Sequence, residues 1–127
     1  MSQEQFLSEL ISTLGADVAQ AAADVPERYW TDWSGTPPQQ PLALVRPRST
    51  EDVSALLRLC SARRIAVVPQ GGLTGLAGAA VPTQGAVAVS MERLNSIEDI
   101  NTRTGLMQVQ AGVTLQSVQE AAVNAGM

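Results

Sequence analysis

A glycine-rich segment directly after an apolar run is the feature that most constrains this chain. Residues 69–79 read PQGGLTGLAGA and carry no charge. Four glycines fall within eight positions: Gly71, Gly72, Gly75 and Gly78. Glycine this dense costs conformational entropy on folding. The segment is therefore expected to do something that residues with a side chain cannot do.

The elements around this segment predict a β-α-β unit. Residues 42–47, LALVRP, predict a short strand ended by proline, and residues 51–63 predict a helix capped by Ser49 or Thr50. Residues 65–69, IAVVP, predict the second strand, apolar throughout as strands of a parallel sheet tend to be. The glycine segment thus leaves the carboxyl end of a strand.

The N-terminal third predicts a helix followed by a connector. Apolar residues recur at helical spacing over residues 3–14, and Ser2 with Gln5 fits a capping box. Residues 16–26 are irregular, alanine-rich and acidic, and residues 27–41 contain three prolines that predict an extended connector. We expect Trp30 and Trp33 to clamp this connector onto the core.

The C-terminal third predicts a strand, a hairpin and a helix. Residues 85–91 predict the strand, and residues 96–112 predict the hairpin, with its turn at residues 102–105. Thr114 is the expected cap of the last helix. Four residues of that helix are expected to face inward: Leu115, Val118, Ala122 and Ala125.

Composition excludes several kinds of function. The chain of 127 residues has no histidine and one cysteine, so it lacks a histidine triad and the ligands of the usual zinc sites, and we assign no catalytic or metal residue. A formal net charge of −4 and no basic patch argue against nucleic acid as a partner. Prolines and glycines interrupt the uncharged run over residues 65–91, which argues against a membrane helix. The N-terminus does not resemble a signal peptide, and we expect a cytoplasmic protein.

The glycine spacing excludes the two best-known phosphate loops. A P-loop requires a lysine after its last glycine, and this chain contains no lysine. A dinucleotide-binding G-x-G-x-x-G is absent, because the glycines fall as G-G-x-x-G-x-x-G. Two interpretations remain open on physical grounds. The segment is either a nest of backbone N–H groups that binds an anion, with Thr74 as an added donor, or a structural turn at a strand exit.

A longer pattern resembles a known family. Residues 44–82, LVRPRSTEDVSALLRLCSARRIAVVPQGGLTGLAGAAVP, are similar to the start of the FAD-binding domain of FAD-linked oxidases. Among these oxidases, the segment resembles the type represented by vanillyl-alcohol oxidase and p-cresol methylhydroxylase (PCMH). Within that type it is most similar to the branch of D-lactate, D-2-hydroxyglutarate and glycolate dehydrogenases. DWSG at residues 32–35 and VQAGVTLQSVQEAAVNAGM at residues 109–127 also match.

The resemblance implies a fold and a site. The fold class is α+β: a β-α-β unit plus a β-hairpin packed with helices, as the first subdomain of a PCMH-type FAD-binding domain. Residues 1–41 would form the N-terminal helix and connector, and residues 42–127 the incomplete FAD-binding domain. The residues implied to bind the FAD pyrophosphate and the flavin side are Pro69, Gln70, Gly71, Gly72, Leu73, Thr74, Gly75, Leu76, Gly78 and Ala79. Leu73 departs from the family, which commonly carries asparagine there.

The resemblance also implies an activity for a longer parent. Such enzymes oxidise a 2-hydroxy acid with FAD, and their catalytic groups lie in parts that follow this region. This chain resembles the first FAD subdomain alone and is expected to be inactive by itself; a homodimer is an open expectation. Two alternatives stay open: a truncated, non-catalytic module that binds FAD weakly or only with a partner chain, and a flavin reductase of the same fold.

Overall fold

A computed structural model describes all 127 residues as three helices and six strands. The helices and strands are α1 (Gln3–Leu14), β1 (Ala19–Ala21), β2 (Ala43–Val45), α2 (Thr50–Arg63), β3 (Val67–Gln70), β4 (Val87–Ser90), β5 (Ile97–Asn101), β6 (Leu106–Val109) and α3 (Leu115–Asn124). Short 3-10 turns at Ala22–Asp24 and Glu27–Trp30 lie between β1 and β2. None of the three helices combines the length and the apolar character that crossing a membrane requires.

The helix caps agree with the sequence. The Ser2 hydroxyl accepts from the Gln5 backbone N–H, and the Gln5 side chain accepts from Ser2, which completes the predicted capping box of α1. Ser49, rather than Thr50, caps α2 by accepting from the Asp52 N–H. Local hydrogen bonds of this kind fix where the helices begin.

The main sheet has the strand order β1-β2-β4-β3. Strands β2, β4 and β3 are parallel, and β1 pairs antiparallel with β2. The β2-α2-β3 unit is therefore present with β4 inserted between its strands. Strand β1 corrects the prediction of irregular structure over residues 16–26. Its sequence, Ala-Gln-Ala, lacks β-branched and aromatic residues, so only pairing with β2 makes it a strand.

Burial in the sheet follows strand position. Strand β4 is buried along its whole length because β2 and β3 flank it. Strand β3, where a strand was predicted, lies at the edge of the sheet and is only half-buried along most of its length. Its apolar run, residues 65–68, predicted a strand but could not distinguish an edge from a centre.

Both faces of the sheet are covered. On one face α1 and α2 pack Phe6, Leu10, Leu56 and Cys60 against alternate residues of β2 and β4. All of these side chains are buried, including the thiol. The core therefore joins the N-terminal helix to the β-α-β unit.

The opposite face is covered by the connector. Tyr29 is buried there with Val25 against Leu44 of β2, and Trp30 packs beside them. Trp33, by contrast, is 71% exposed, so the prediction that both tryptophans clamp the connector is wrong for Trp33. The connector is also not extended throughout, since Glu27–Trp30 forms a 3-10 turn that carries Tyr29 inward.

The C-terminal third forms a separate, less buried layer. Strands β5 and β6 make the predicted hairpin, and Asn101 Oδ1 accepts from the backbone N–H groups of Arg103 and Thr104 in its turn. Helix α3 has no fully buried residue. Leu115 is 71% exposed, which corrects its inward assignment, and Val118, Ala122 and Ala125 are half-buried. No element of the chain packs over the outer side of this helix.

Adjacent leucines of α2 give a test of this core. Leu56 is fully buried between α2 and the sheet, whereas Leu57 is 48% exposed on the same helix. We expect Leu56→Ala to lower the free energy of unfolding by about 2–5 kcal/mol, because it leaves a cavity. Leu57→Ala is the matched control and is expected to cost less than about 1 kcal/mol. Chemical denaturation of both variants measures the difference, and equal losses would contradict the arrangement.

Candidate cofactor-binding site

The glycine segment is held at its base by one buried side chain. Gln70 is the last residue of β3 and is almost completely buried. Its Nε2 donates to the Tyr29 carbonyl at 2.8 Å and to the Ala80 carbonyl at 3.0 Å. These bonds tie the two ends of the loop, residues 71–79, to each other and to the connector. The Gln70 side chain therefore faces the protein interior.

The DWSG segment braces the outer half of the loop. The Trp33 N–H donates to the Gly75 carbonyl at 3.1 Å. A Cβ at Gly78 would lie 2.7 Å from Thr36 Oγ1, and Gly78 has φ +77°. Packing against Thr36 and a left-handed backbone are thus sufficient reasons for glycine at residue 78.

Asp32 orders the DWSG segment, residues 32–35, that contacts the loop. Its carboxylate is buried and accepts from the Ser34 N–H at 2.9 Å. The hydrogen bonds from Ser34, with smaller contributions from the backbone amides of Ala80 and Gly78, lower the pKa of Asp32. The hydrogen bond from Ser34 thus orders the connector segment whose Trp33 N–H contacts the glycine loop.

Leu73 adopts a conformation that is unusual for its side chain. Its φ is +60°, in the left-handed region where asparagine and glycine are far better tolerated than a γ-branched apolar residue. The Leu73 side chain packs against the cluster of Val25, Tyr29, Leu44 and Ala88. This burial offsets the backbone strain. The asparagine common in the family would thus suit the backbone at this position whether or not its side chain binds a ligand.

The backbone N–H groups of residues 71–76 are free. None of them donates a hydrogen bond within the chain, and the Thr74 hydroxyl has no internal partner either. A Cβ placed on Gly71, Gly72 or Gly75 would meet no atom within 4 Å. The segment thus presents consecutive neutral donors beside open space, as an anion-binding nest does.

A pocket of about 420 Å³ lies beside these donors. Four segments line it: residues 71–74 of the loop, Arg28 with Tyr29, Glu92, and residues 111–115. Of the ten residues predicted to bind the cofactor, four line this pocket: Gly71, Gly72, Leu73 and Thr74. The other predicted residues, namely Pro69, Gln70, Gly75, Leu76, Gly78 and Ala79, lie outside it.

The wall opposite the loop was not predicted as part of the site. It is the turn between β6 and α3, which contains Gly112. The Gly112 N–H donates to the Leu94 carbonyl at 2.7 Å, and a Cβ there would overlap the Met91 carbonyl oxygen. The signal in the sequence was the glycine of VQAGV, but the residues that it contacts, Met91 and Leu94, belong to a different segment of the chain.

Charged groups cluster at the remaining side of the pocket. Glu92 accepts from the Tyr29 hydroxyl at 2.7 Å and pairs with Arg28 at 3.2 Å and with Arg46 at 3.5 Å. Arg28 also lies over the Tyr29 ring, 4.3 Å from its centroid. We refer to these four residues as the Glu92 cluster. They were not predicted, because they come from three separate segments.

The Glu92 cluster sets the charge of its members. Burial alone would raise the pKa of Glu92, but the hydrogen bond from Tyr29 and the charges of Arg28 and Arg46 outweigh it and lower that pKa. Burial, followed by the hydrogen bond to Glu92, raises the pKa of Tyr29. At neutral pH Glu92 is therefore ionised, and Tyr29 stays protonated and donates.

The chain belongs to the family of FAD-binding domains, because the sequence pattern of that family matches residues 41–127. This assigns FAD as the cofactor, as the sequence resemblance implied. The free N–H groups of residues 71–76, the unpartnered Thr74 hydroxyl and the open space over the glycines fit a phosphate-bearing group of this kind.

Several relatives of the chain are named D-2-hydroxyglutarate dehydrogenases. It is 43% identical over 101 residues to a D-2-hydroxyglutarate dehydrogenase of Xanthomonas citri pv. viticola, covering 80% of this chain and 21% of that protein. It is 33% identical over 127 residues to a D-2-hydroxyglutarate dehydrogenase of Stutzerimonas stutzeri, covering 100% of this chain and 27% of that protein. The chain thus spans about a fifth to a quarter of the length of these relatives.

A solved structure shares the fold. p-Cresol methylhydroxylase superposes with a TM-score of 0.81 at 20% identity, over 97% of this chain and 25% of that chain. The predicted fold, a β-α-β unit with a β-hairpin and helices of the PCMH type, is confirmed.

Gly112 gives a test of the second wall. We expect Gly112→Ala to lower the free energy of unfolding by about 1–3 kcal/mol or more, because the new methyl group overlaps backbone atoms that cannot rotate away. Gly71→Ala is the control, since its methyl group would enter open space at an ordinary φ. Thermal unfolding of the cofactor-free variants measures both. A Gly112→Ala variant as stable as Gly71→Ala would exclude this contact.

Tyr29 gives a test of the Glu92 cluster. It is the only tyrosine, so its titration can be followed alone by tyrosinate absorbance. We expect a midpoint above the ordinary 10.0, and a lower midpoint in Glu92→Gln, with Glu98→Gln as the exposed control. Folding raises the pKa of Tyr29, so the protonated tyrosine contributes to the free energy of unfolding. That contribution is fully present below pH 10.0 and is lost as pH rises through the pKa of the folded state. An unshifted midpoint in a chain that circular dichroism shows to be folded would refute the cluster.

Proposed function

We propose that this chain is the part of a flavin-dependent oxidoreductase that anchors the pyrophosphate of FAD. The observation that carries the proposal is the run of free backbone N–H groups over residues 71–76 beside the pocket. These donors would bind the phosphate oxygens, and the Thr74 hydroxyl would add one more. The predicted site over residues 69–79 is kept in this proposal, with residues 71–74 closest to the phosphates and Gly78 and Ala79 on the flavin side.

Other residues of this chain would position those donors. Gln70 closes the base of the loop, and the Asp32–Ser34 hydrogen bond orders the segment that braces Gly75. A loop fixed in this way before the cofactor arrives loses less conformational entropy on binding. Neutral backbone N–H groups can donate hydrogen bonds to phosphate oxygens, so this loop does not require a lysine.

The activity of a longer parent is part of the same proposal. When bound, FAD supplies the two-electron chemistry of the oxidoreductase. The names of the relatives favour a small 2-hydroxy acid as the substrate, oxidised at its α-carbon. We propose that the 127-residue chain does not turn over such acids by itself. We also propose that the protein forms a homodimer and that the chain divides at residue 41. We propose a cytoplasmic location, although several relatives are named mitochondrial.

One observation favours a second candidate, a module that binds FAD fully only with a partner chain. Large apolar side chains are exposed on β6 and α3: Leu106, Val109, Leu115 and Val123. A second chain that covers this layer would add contact area to the half-site. FAD affinity that rises with protein concentration would favour this candidate, whereas a concentration-independent affinity would favour the single chain.

The primary experiment is a titration of the chain with FAD by calorimetry and tryptophan fluorescence. Trp33 is exposed and is bonded to Gly75, so FAD bound at the loop is expected to quench its emission. Thr74→Val is expected to weaken binding by about tenfold, because it removes a hydrogen bond to a charged group. Thr83→Val is the matched control, an exposed threonine whose hydroxyl also has no partner. The absence of heat and quenching, or equal affinities of the two variants, would contradict the proposal.

A further inference from the structure

Arg28 is the only cation among the residues that line the pocket. Its side chain is 63% exposed, and only its Nη2 is engaged, by Glu92 and the Tyr29 hydroxyl. A guanidinium has five N–H donors in a planar fork that suits phosphate oxygens. The rest of this fork is therefore free to face the pocket.

The backbone holds Arg28 close to the start of the glycine loop. Arg28 lies in the 3-10 turn at Glu27–Trp30, and the next residue, Tyr29, is buried. The Tyr29 carbonyl accepts from Gln70 at 2.8 Å, where Gln70 is the residue directly before the loop. One hydrogen bond thus joins the residue that follows Arg28 to the residue that precedes the donor run.

The charges of the Glu92 cluster do not cancel. The two guanidinium groups of Arg28 and Arg46 face the single carboxylate of Glu92, which leaves one positive charge. Arg46 does not line the pocket and Arg28 does, so Arg28 presents that charge to a ligand. Glu92 would otherwise repel a phosphate in this pocket, since it is the only anion in the lining.

We propose that Arg28 is a phosphate-binding residue of this site, and that Glu92 and Tyr29 hold its guanidinium ready beside the donors of residues 71–74. This inference rests on the proposed function, because it assumes that the phosphates of FAD lie at the loop. The site then combines the neutral backbone donors of the loop with one cation beside them. A second cation would not be needed, since the donors of the loop share the phosphate charge.

The test is FAD and riboflavin titration of Arg28→Gln. Glutamine removes the charge and keeps a polar side chain, and Arg103→Gln in the exposed hairpin turn is the control. We expect Arg28→Gln to weaken FAD binding by about ten- to hundredfold and to leave riboflavin, which has no phosphate, unchanged. The loss is expected to be larger at about 0.02 M salt than at about 0.5 M salt, because salt screens the pair. Arg28→Lys is expected to restore part of the affinity.

The outcomes separate this inference from the proposed function. If the unsubstituted chain does not bind FAD, the proposed function and this inference both fail. If FAD binds, Thr74→Val weakens it and Arg28→Gln behaves like Arg103→Gln, this inference fails alone. Equal losses for FAD and riboflavin would also overturn it, because Arg28 would then act on the flavin or on the shape of the pocket.

Discussion

The buried amide of Gln70 is the interaction on which the rest of the site depends. It lies where β3 ends and where the connector and the end of the glycine loop come together. Both of its N–H groups are used to hold backbone carbonyls, while its Oε1 is buried without a partner. An unpaired buried acceptor costs about 1–3 kcal/mol, so the two bonds and the surrounding packing must offset that cost. With the base closed in this way, the N–H groups of residues 71–76 have no hydrogen-bond partner within the chain.

The fold could be predicted where the signals are local. Capping residues gave the starts of α1 and α2, and the turn of the β5–β6 hairpin followed from its sequence. The order of the sheet could not be predicted in this way. The insertion of β4 between β2 and β3 depends on pairing across the chain, and the three residues of β1 become a strand only beside β2.

The site was predictable on one side only. Its loop is contiguous in sequence, so the glycines and the family resemblance together identified it. The rest of the lining includes Arg28, Glu92 and Gly112, which lie far apart in the chain. The aromatic residues show the same limit: spacing favoured Trp30 and Trp33 as clamps, whereas tertiary packing buries Tyr29. Leu73 shows a different limit, because nothing in the sequence indicates that a leucine adopts a left-handed φ.

The two walls of the pocket differ in what supports them. The glycine loop and Arg28 are anchored to the main core through Gln70 and Tyr29, whose surroundings are buried. The opposite wall belongs to the hairpin and α3, which bury little, and it meets the core where Gly112 contacts the turn after β4. That close backbone contact fixes the separation of the walls, since even one methyl group would force them apart. A cofactor that bridges the walls would therefore gain contacts on the side anchored to the core and stabilise the layer that has the least burial of its own.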